Sequence, residues 1–224
     1  MKLESTIRAD LHNHTHFSPD SIMSPQDLLR RATEAGIDCV AVTDHNTVRG
    51  GLSVRELAAN VTVIVGEEVR SSDGEILGLF LSHDIPAGLP AGETIARIRE
   101  QGGIVGVPHP FDPFRGALDR ATLTDVAAEI DFVEALNSRV MLGVHNKRAL
   151  EFARQHDLPV SAASDAHSPR ELGRSYVEMP AFKDPSDFLH SLRSGVLVGR
   201  LSSPLIHLVS RYATMRHRIR GVRR

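Results

Sequence analysis

The sequence predicts an α/β protein with a mainly parallel sheet, open or closed into a barrel. Three observations carry that expectation. Short apolar and β-branched runs alternate with helical stretches along most of the chain. Most of those runs are apolar throughout, as strands covered on both faces should be. Side chains able to bind ligands recur just past the predicted strand ends, the edge where parallel α/β folds assemble their sites.

The elements follow in order. Strands are expected at residues 7–12, 38–43, 61–65, 75–81, 104–107, 131–136, 159–163 and 176–179. Helices are expected at 25–35, 91–101, 144–156 and 185–194. The first has the clearest signals: Ser24 as N-cap, Pro25 at the first position, Asp27 in the first turn and Gly36 as the stop. The strand ends lead into Asp10, His12 and His14, then Asp44-His45, Glu67-Glu68, His109, Glu134 with Asn137, and Asp165 with His167. A barrel or sheet would bring these distant segments together.

Composition bounds the answer. The chain has 224 residues, 41% hydrophobic and 24% charged, enough for one domain with a real core. No apolar run approaches the roughly 18–20 residues needed to span a bilayer, and the start lacks the apolar core of a secretory leader. The single cysteine, Cys39, rules out an intramolecular disulfide framework and a thiolate-rich zinc site. It falls inside an apolar strand and reads as an inert thiol. The expected compartment is the cytoplasm. The chain has no G-x-x-x-x-G-K-[ST] loop, no G-x-G-x-x-G fingerprint and no G-x-S-x-G elbow, which disfavours NTP hydrolysis, dinucleotide redox and serine-hydrolase chemistry.

Twelve histidines are many for this length. His12-Asn13-His14 is an H-x-H pair at a strand end, where a period of two sends both imidazoles to one side. With Asp20, Glu68, Asp165, His45, His109 and His167 they make eight nitrogen and oxygen donors, more than one tetrahedral ion needs. Two or three Zn²⁺, Mn²⁺ or Fe²⁺ ions suit that set, with Glu68 as a bridge. Such clusters imply hydrolysis by metal-activated water, of phosphate esters or of amides and lactones. Asp10 and Asp44 fit as carboxylates that orient imidazoles. Glu67, next to Glu68 in a strand, should face a helix layer or solvent. His16, His145, His156, His190, His207 and His217 read as surface residues.

The motifs resemble those of the PHP (polymerase and histidinol phosphatase) family of metal-dependent phosphoesterases. Asp10-Leu11-His12-Asn13-His14-Thr15, continuing to Ser18 and Asp20, is similar to its first motif; Val42-Thr43-Asp44-His45-Asn46-Thr47 resembles its second. Gly66-Glu67-Glu68 is similar to the segment supplying a bridging glutamate, and Pro108-His109-Pro110 and Ser164-Asp165-Ala166-His167 resemble the third and fourth motifs. The resemblance runs from about residue 8 to 175. It implies a distorted seven-stranded (β/α) barrel of TIM-like type with two or three divalent ions on its C-terminal face. By position, His12, His14, Glu68 and Asp165 would hold the first ion and act through its hydroxide; Glu68 and His109 the second; Asp20, His45 and His167 the third. Relatives place a further histidine after the bridging glutamate; here its place falls to Glu75, to His83, or to an open position. Asn137 and Arg139, with Arg70 and Arg115 as further options, are candidates for substrate contact. The chain lacks the long insertion of some nucleotide-directed relatives.

Charge divides the chain. Residues 188–224 hold eight arginines, no lysine and no acid, so subtracting that +8 from the net −2 leaves −10 on residues 1–187. The reading is a phosphoesterase-like domain over 1–200 and a basic amphipathic helical tail over 201–224. Leu205, Leu208, Tyr212, Met215, Ile219 and Val222 form an a/d-type stripe. That stripe is expected to pack on the barrel; oligomerisation, or contact with membrane or nucleic acid, are the other readings. The expected activity is hydrolysis of a small phosphorylated metabolite or nucleotide. The alternatives are a non-catalytic metal-containing module engaging nucleic acid or membrane through its tail, and an amide or lactone hydrolase.

Overall fold

Nine strands join one sheet in the order β7-β6-β5-β4-β3-β2-β1-β8-β9, and β7 lies against β8 and β9, so the sheet is a nearly closed barrel. The computed structural model describes residues 5–203 and 205–221. In chain order the elements are β1 (Thr6–Asp10), α1 (Pro25–Ala35), β2 (Cys39–Val42), α2 (Arg49–Leu57), β3 (Thr62–Arg70), β4 (Glu75–Leu79), α3 (Ala91–Glu100) and β5 (Ile104–Val107). There follow α4 (Arg120–Asp125), β6 (Phe132–Asn137), α5 (Gly143–Gln155), β7 (Val160–Ala163), β8 (Ser175–Pro180), α6 (Pro185–Arg193), β9 (Val196–Gly199) and α7 (Ile206–Gly221).

The α/β class and the barrel agree with the sequence; the strand count and directions do not. The sheet has nine strands, where the resemblance implies seven. Only β1–β2, β2–β3, β5–β6 and β6–β7 pair in parallel; β3–β4, β4–β5, β1–β8 and β8–β9 are antiparallel. The reason is local. β3 runs past Gly66 to Arg70 and turns back at once, with the Ser71 backbone N–H and hydroxyl both donating to the Gly74 carbonyl. A tight hairpin can only return antiparallel.

Local chemistry explains the elements. Ser24 Oγ caps α1 by accepting from the Asp27 N–H at 3.1 Å, and Gly36 ends the helix at φ 66°, a left-handed conformation that glycine adopts without steric cost. Strand alternation sorts the core. Along β2, Cys39 and Ala41 face the barrel interior with Ile64, Leu77, Leu79 and Phe132, while Val40 and Val42 face the α1 layer. Gly106 is required by packing: a Cβ there would run into the Phe132 ring, which fills the interior. Across the seam where β7 meets β8 and β9, Ser138, just past β6, and Ser175 of β8 are tied Oγ to Oγ at 2.6 Å.

The helix α7 overturns the expected docking face. Leu205, Leu208, Tyr212, Met215 and Ile219, the predicted packing stripe, are all more than half exposed. The helix meets the barrel through His207, Ser210 and the buried Ala213 instead. The barrel mouth is polar, so the face that covers it is polar too. Residues 222–224 of the predicted tail lie outside the described residues. No helix among the described residues is long and apolar enough to cross a membrane.

Candidate metal centre

The mouth of the barrel gathers all eight predicted ligand side chains. His12 Nε2 and His14 Nε2 lie 3.0 Å apart, and Glu68 Oε2 is 3.4 and 3.3 Å from them. Asp165 Oδ1 is 3.8 Å from His12 Nε2 and 3.5 Å from His14 Nε2. His109 Nε2 pairs with Glu68 Oε1 at 3.0 Å, and His45 Nδ1 lies 3.1 Å from Glu68 Oε2. Asp20 Oδ2 closes the far side, 3.1 Å from His167 Nε2 and 3.4 Å from His45 Nε2.

Three sets of donor atoms come within 4.8 Å of one another: His12, His14 and Asp165; His14, His45 and His167; and His45, Glu68 and Glu75. They cut across the ion-by-ion partition that the resemblance implies. Glu68 Oε2, Asp165 Oδ1 and Asp20 Oδ1 are buried without a hydrogen-bond partner. Buried anionic oxygens left unpaired cost several kcal/mol unless a cation meets them. That deficit, with two imidazole Nε2 atoms only 3.0 Å apart, fits divalent ions.

The fold explains each position. β1 stops at Asp10, and the next residues hold the H-x-H spacing: Asn13 turns away, its amide donating to the Asp10 and Ala41 carbonyls, and bridges to Ala166, while His12 and His14 share one side. Glu68 shares its strand face with the interior residue Ile64, so it points into the mouth. Glu67 points the other way, buried, with Oε2 accepting from the Ile85 N–H at 2.9 Å; it faces the helix layer, not solvent. His109 and Asp165 hold left-handed backbone at φ 29° and 53°, strain of the kind that concentrates at functional sites.

The hairpin decides between Glu75 and His83. Because β4 runs antiparallel, its first residue lies at the mouth and its last at the opposite end. Glu75 therefore stands beside Arg70 in register, 3.7 Å from His109 Nε2. His83, beyond the far end of β4, is exposed and pairs with Ser82 and Gln101. His83 is thereby corrected: it is not brought to the cluster.

Carboxylates behind the cluster orient it. Glu134 pairs through Oε1 with His12 Nδ1 at 3.1 Å, and through Oε2 it accepts from the His109 N–H at 2.7 Å and Asn137 Nδ2 at 2.9 Å. The sequence places Glu134 at a strand end but assigns it no role, and no sequence signal shows that its carboxylate reaches both His12, after β1, and His109, after β5. Asp44 accepts from the Thr15 N–H and hydroxyl and from Ser18, whose hydroxyl meets His14 Nδ1. Asp10 instead holds the Ser164 N–H and Gly173 N–H, fixing the loop before Asp165. Burial pushes both Asp10 and Asp44 up to about 6.

Electrostatics within the cluster are divided. Burial would strip the proton from His12, but Asp165, Glu68 and Glu134 outweigh it and hold its pKa well above the usual value. Burial, with His167 and His45 beside it, drives His14 well below, which keeps a nitrogen lone pair free. Burial opposes ionisation of Glu68 and Asp165 as well, yet His12 and His45 on the first, and Arg115 and His12 on the second, keep both well below the ordinary carboxylate range. Burial and the Glu68 charge raise Glu75.

A cleft of about 380 Å³ opens over the cluster. Asp20, His45, Glu75 and His167 form one part of its wall; Arg115, Arg139, His207 and Ser210 form another. Arg115 pairs with Asp165. Arg139 is buried, whereas Arg70 is exposed. Asn137 is also buried, its amide donating to Glu134 and to Asp165 Oδ2 at 2.9 Å. His207 and His145 correct the sequence reading of surface histidines: His207 lines the cleft and His145 is buried. No signal in the tail's apolar periodicity points to His207 or Ser210.

A barrel carrying buried imidazoles and carboxylates at its mouth defines a metal-binding α/β barrel. The chain belongs to the PHP family: the PHP domain model matches residues 10–157, and a PHP-associated model matches residues 143–197. An uncharacterized protein of Methanocaldococcus jannaschii is 43% identical over 157 residues, covering 64% of this chain and 90% of that one. A 5'-3' exoribonuclease of Haemophilus influenzae is 27% identical over 129 residues, 51% of this chain and 46% of that one. Among solved structures, a two-domain protein from Bacteroides vulgatus containing a predicted PHP-like metal-dependent phosphoesterase superposes with TM-score 0.72 at 18% identity. The match covers 88% of this chain and 66% of that chain, so this chain spans about two thirds of its length.

Proposed function

We propose that this protein is a metal-dependent phosphoesterase acting on a small phosphorylated metabolite or nucleotide. One observation carries the reading: two guanidinium groups, the buried Arg139 and the partly buried Arg115, line the same cleft as a cluster with metal-ligand chemistry. Cations on two sides of a small cleft suit a phosphoryl group, whose negative charge spreads over several oxygens.

In this reading, with the ligand sets that the resemblance implies, His12, His14, Glu68 and Asp165 would hold one ion, Glu68 and His109 a second with Glu75 beside them, and Asp20, His45 and His167 a third. Mn²⁺, Zn²⁺ or Fe²⁺ bound there would activate water near neutral pH and offset phosphoryl charge. The chain's own residues do the rest. Glu134 and the Asp44–Ser18 pair fix the orientation of His12 and His14. Arg115 and Arg139 hold the phosphate oxygens, and Asn137 braces Glu134 against Asp165. The compartment we infer is the cytoplasm.

A second reading, cleavage of phosphodiesters in RNA, draws support from the Haemophilus relative. The cleft, walled on one side by α7, favours the smaller substrate. Hydrolysis of an aryl phosphate by Mn²⁺-loaded protein, run beside a short oligoribonucleotide and an amide, tests all three chemistries. Turnover of the aryl phosphate that stops on chelation and in the His12→Ala/His14→Ala double variant is the expected result. Activity surviving both would remove the metal-dependent mechanism.

A further inference from the structure

The helix α7 lies beyond both family models, which end at residues 157 and 197. It nonetheless reaches the cleft. His207, Ser210, Ala213 and His217 follow at spacings of three and four, one helical face. His207 and Ser210 line the main cleft, Ala213 is buried, and His217 lines a second cleft with Ser21 and Ile22 of the segment that carries Asp20. The helix therefore crosses the barrel mouth from Arg139 to the Asp20 loop.

Arg139 is held unevenly. Its Nη2 donates to Ser210 Oγ at 2.7 Å, the shortest polar contact of the guanidinium. Its Nη1 sits 3.4 Å from both the Asp165 carbonyl and Glu171 Oε2, and its Nε is buried without a partner. Without Ser210, two long contacts on Nη1 would leave the fork free to rotate about that end. Ser210 fixes the plane in which the remaining donors point.

We propose that α7 is a wall of the active site and that Ser210 is a positioning residue, aiming the Arg139 fork at the phosphoryl group of the substrate. The proposal rests on the phosphoesterase reading given above. It also explains why the apolar stripe of α7 faces outward: the inner face has a polar site to complete.

The test compares Ser210→Ala and Ser210→Thr in the full-length, Mn²⁺-loaded protein. Alanine suits a helix at least as well as serine, so folding should survive. The expected result for Ser210→Ala is a KM for aryl phosphate raised about tenfold with kcat changed less than about twofold, since a charge-assisted bond used in binding is lost. Ser210→Thr should restore KM, and in an Arg139→Ala background Ser210→Ala should have no further effect. An unchanged KM, or an effect that persists without Arg139, overturns the proposal. Inorganic phosphate binding by calorimetry separates it from the parent reading. If the wild type turns over no ester yet binds phosphate about tenfold more tightly than Ser210→Ala, the positioning role stands and the phosphoesterase reading falls. Equal binding, or none, overturns the positioning role.

Discussion

Glu134→Gln isolates the support beneath the metal site from the site itself. The carboxylate meets three nitrogens: His12 Nδ1 on Oε1, and the His109 N–H and Asn137 Nδ2 on Oε2. An acceptor oxygen opposite His12 keeps the hydrogen on Nδ1 and leaves Nε2 bare toward the cluster. Glutamine has nearly the same shape but one donor end. If its amide nitrogen faces His12, the ring must accept at Nδ1, so Nε2 carries the hydrogen and cannot ligate. If the amide is reversed, its nitrogen meets two donors and strands the buried His109 N–H, at about 1–3 kcal/mol. Either way a ligand or its backbone is compromised. Loss of such an orienting partner costs about 10–100-fold in metal affinity, or roughly 1.4–2.7 kcal/mol. Competition against a chelating dye gives the affinity, ions per chain the stoichiometry, and circular dichroism the fold. Wild-type affinity and stoichiometry in a folded Glu134→Gln protein would refute the orienting role.

Other outcomes are equally specific. Divalent ion at a hundredfold excess over its Kd should raise stability by about 2.7 kcal/mol, read as a concentration-dependent gain in Tm that chelation reverses. Glu67, pushed up to about 8 by burial, keeps a proton in the folded state that the unfolded chain loses above about 4.5. Stability should therefore fall as pH rises between those values, by up to about 1.4 kcal/mol per unit, and level off above; Glu67→Gln, still able to accept from the Ile85 N–H, should flatten that slope in thermal melts. Phe132→Ala empties the barrel interior opposite Gly106 and should cost about 3–5 kcal/mol in urea unfolding; a loss under 1 kcal/mol would mean that the ring is not a core element.

The site was legible in the sequence where strand position alone determines it. His12, His14, His45, Glu68, His109, Asp165 and His167 follow apolar runs, and the barrel brings those ends together. Legibility failed where direction matters. Nothing in the run from Glu75 to Leu81 reveals that β4 is reversed, so His83 and Glu75 read as equals until the hairpin at residues 71–74 separates them. No helix signal marks α2 in the sequence, because Gly50-Gly51 falls in its first turn. A Cβ at Gly50 would collide with the Asp44 carboxylate, so close approach overrides propensity there. The rule that an apolar stripe turns inward fails for the tail helix, which is laid over a hydrophilic opening.

The reversed strand also bears on how this barrel can change. The tip that precedes Glu75 is tied to the neighbouring loop by bonds from Glu75 to the Gly116 carbonyl and from Asp119 to the Asp73 carbonyl, and Gly116 borders the cleft. Beyond the bonds it would break, lengthening the tip adds a chain-entropy cost of only roughly 0.6 kcal/mol for each doubling. Insertions between Asp73 and Glu75 would thus redraw the rim while leaving the ladder of β3 and β4 in step, a route by which ligand preference can drift without rebuilding the barrel.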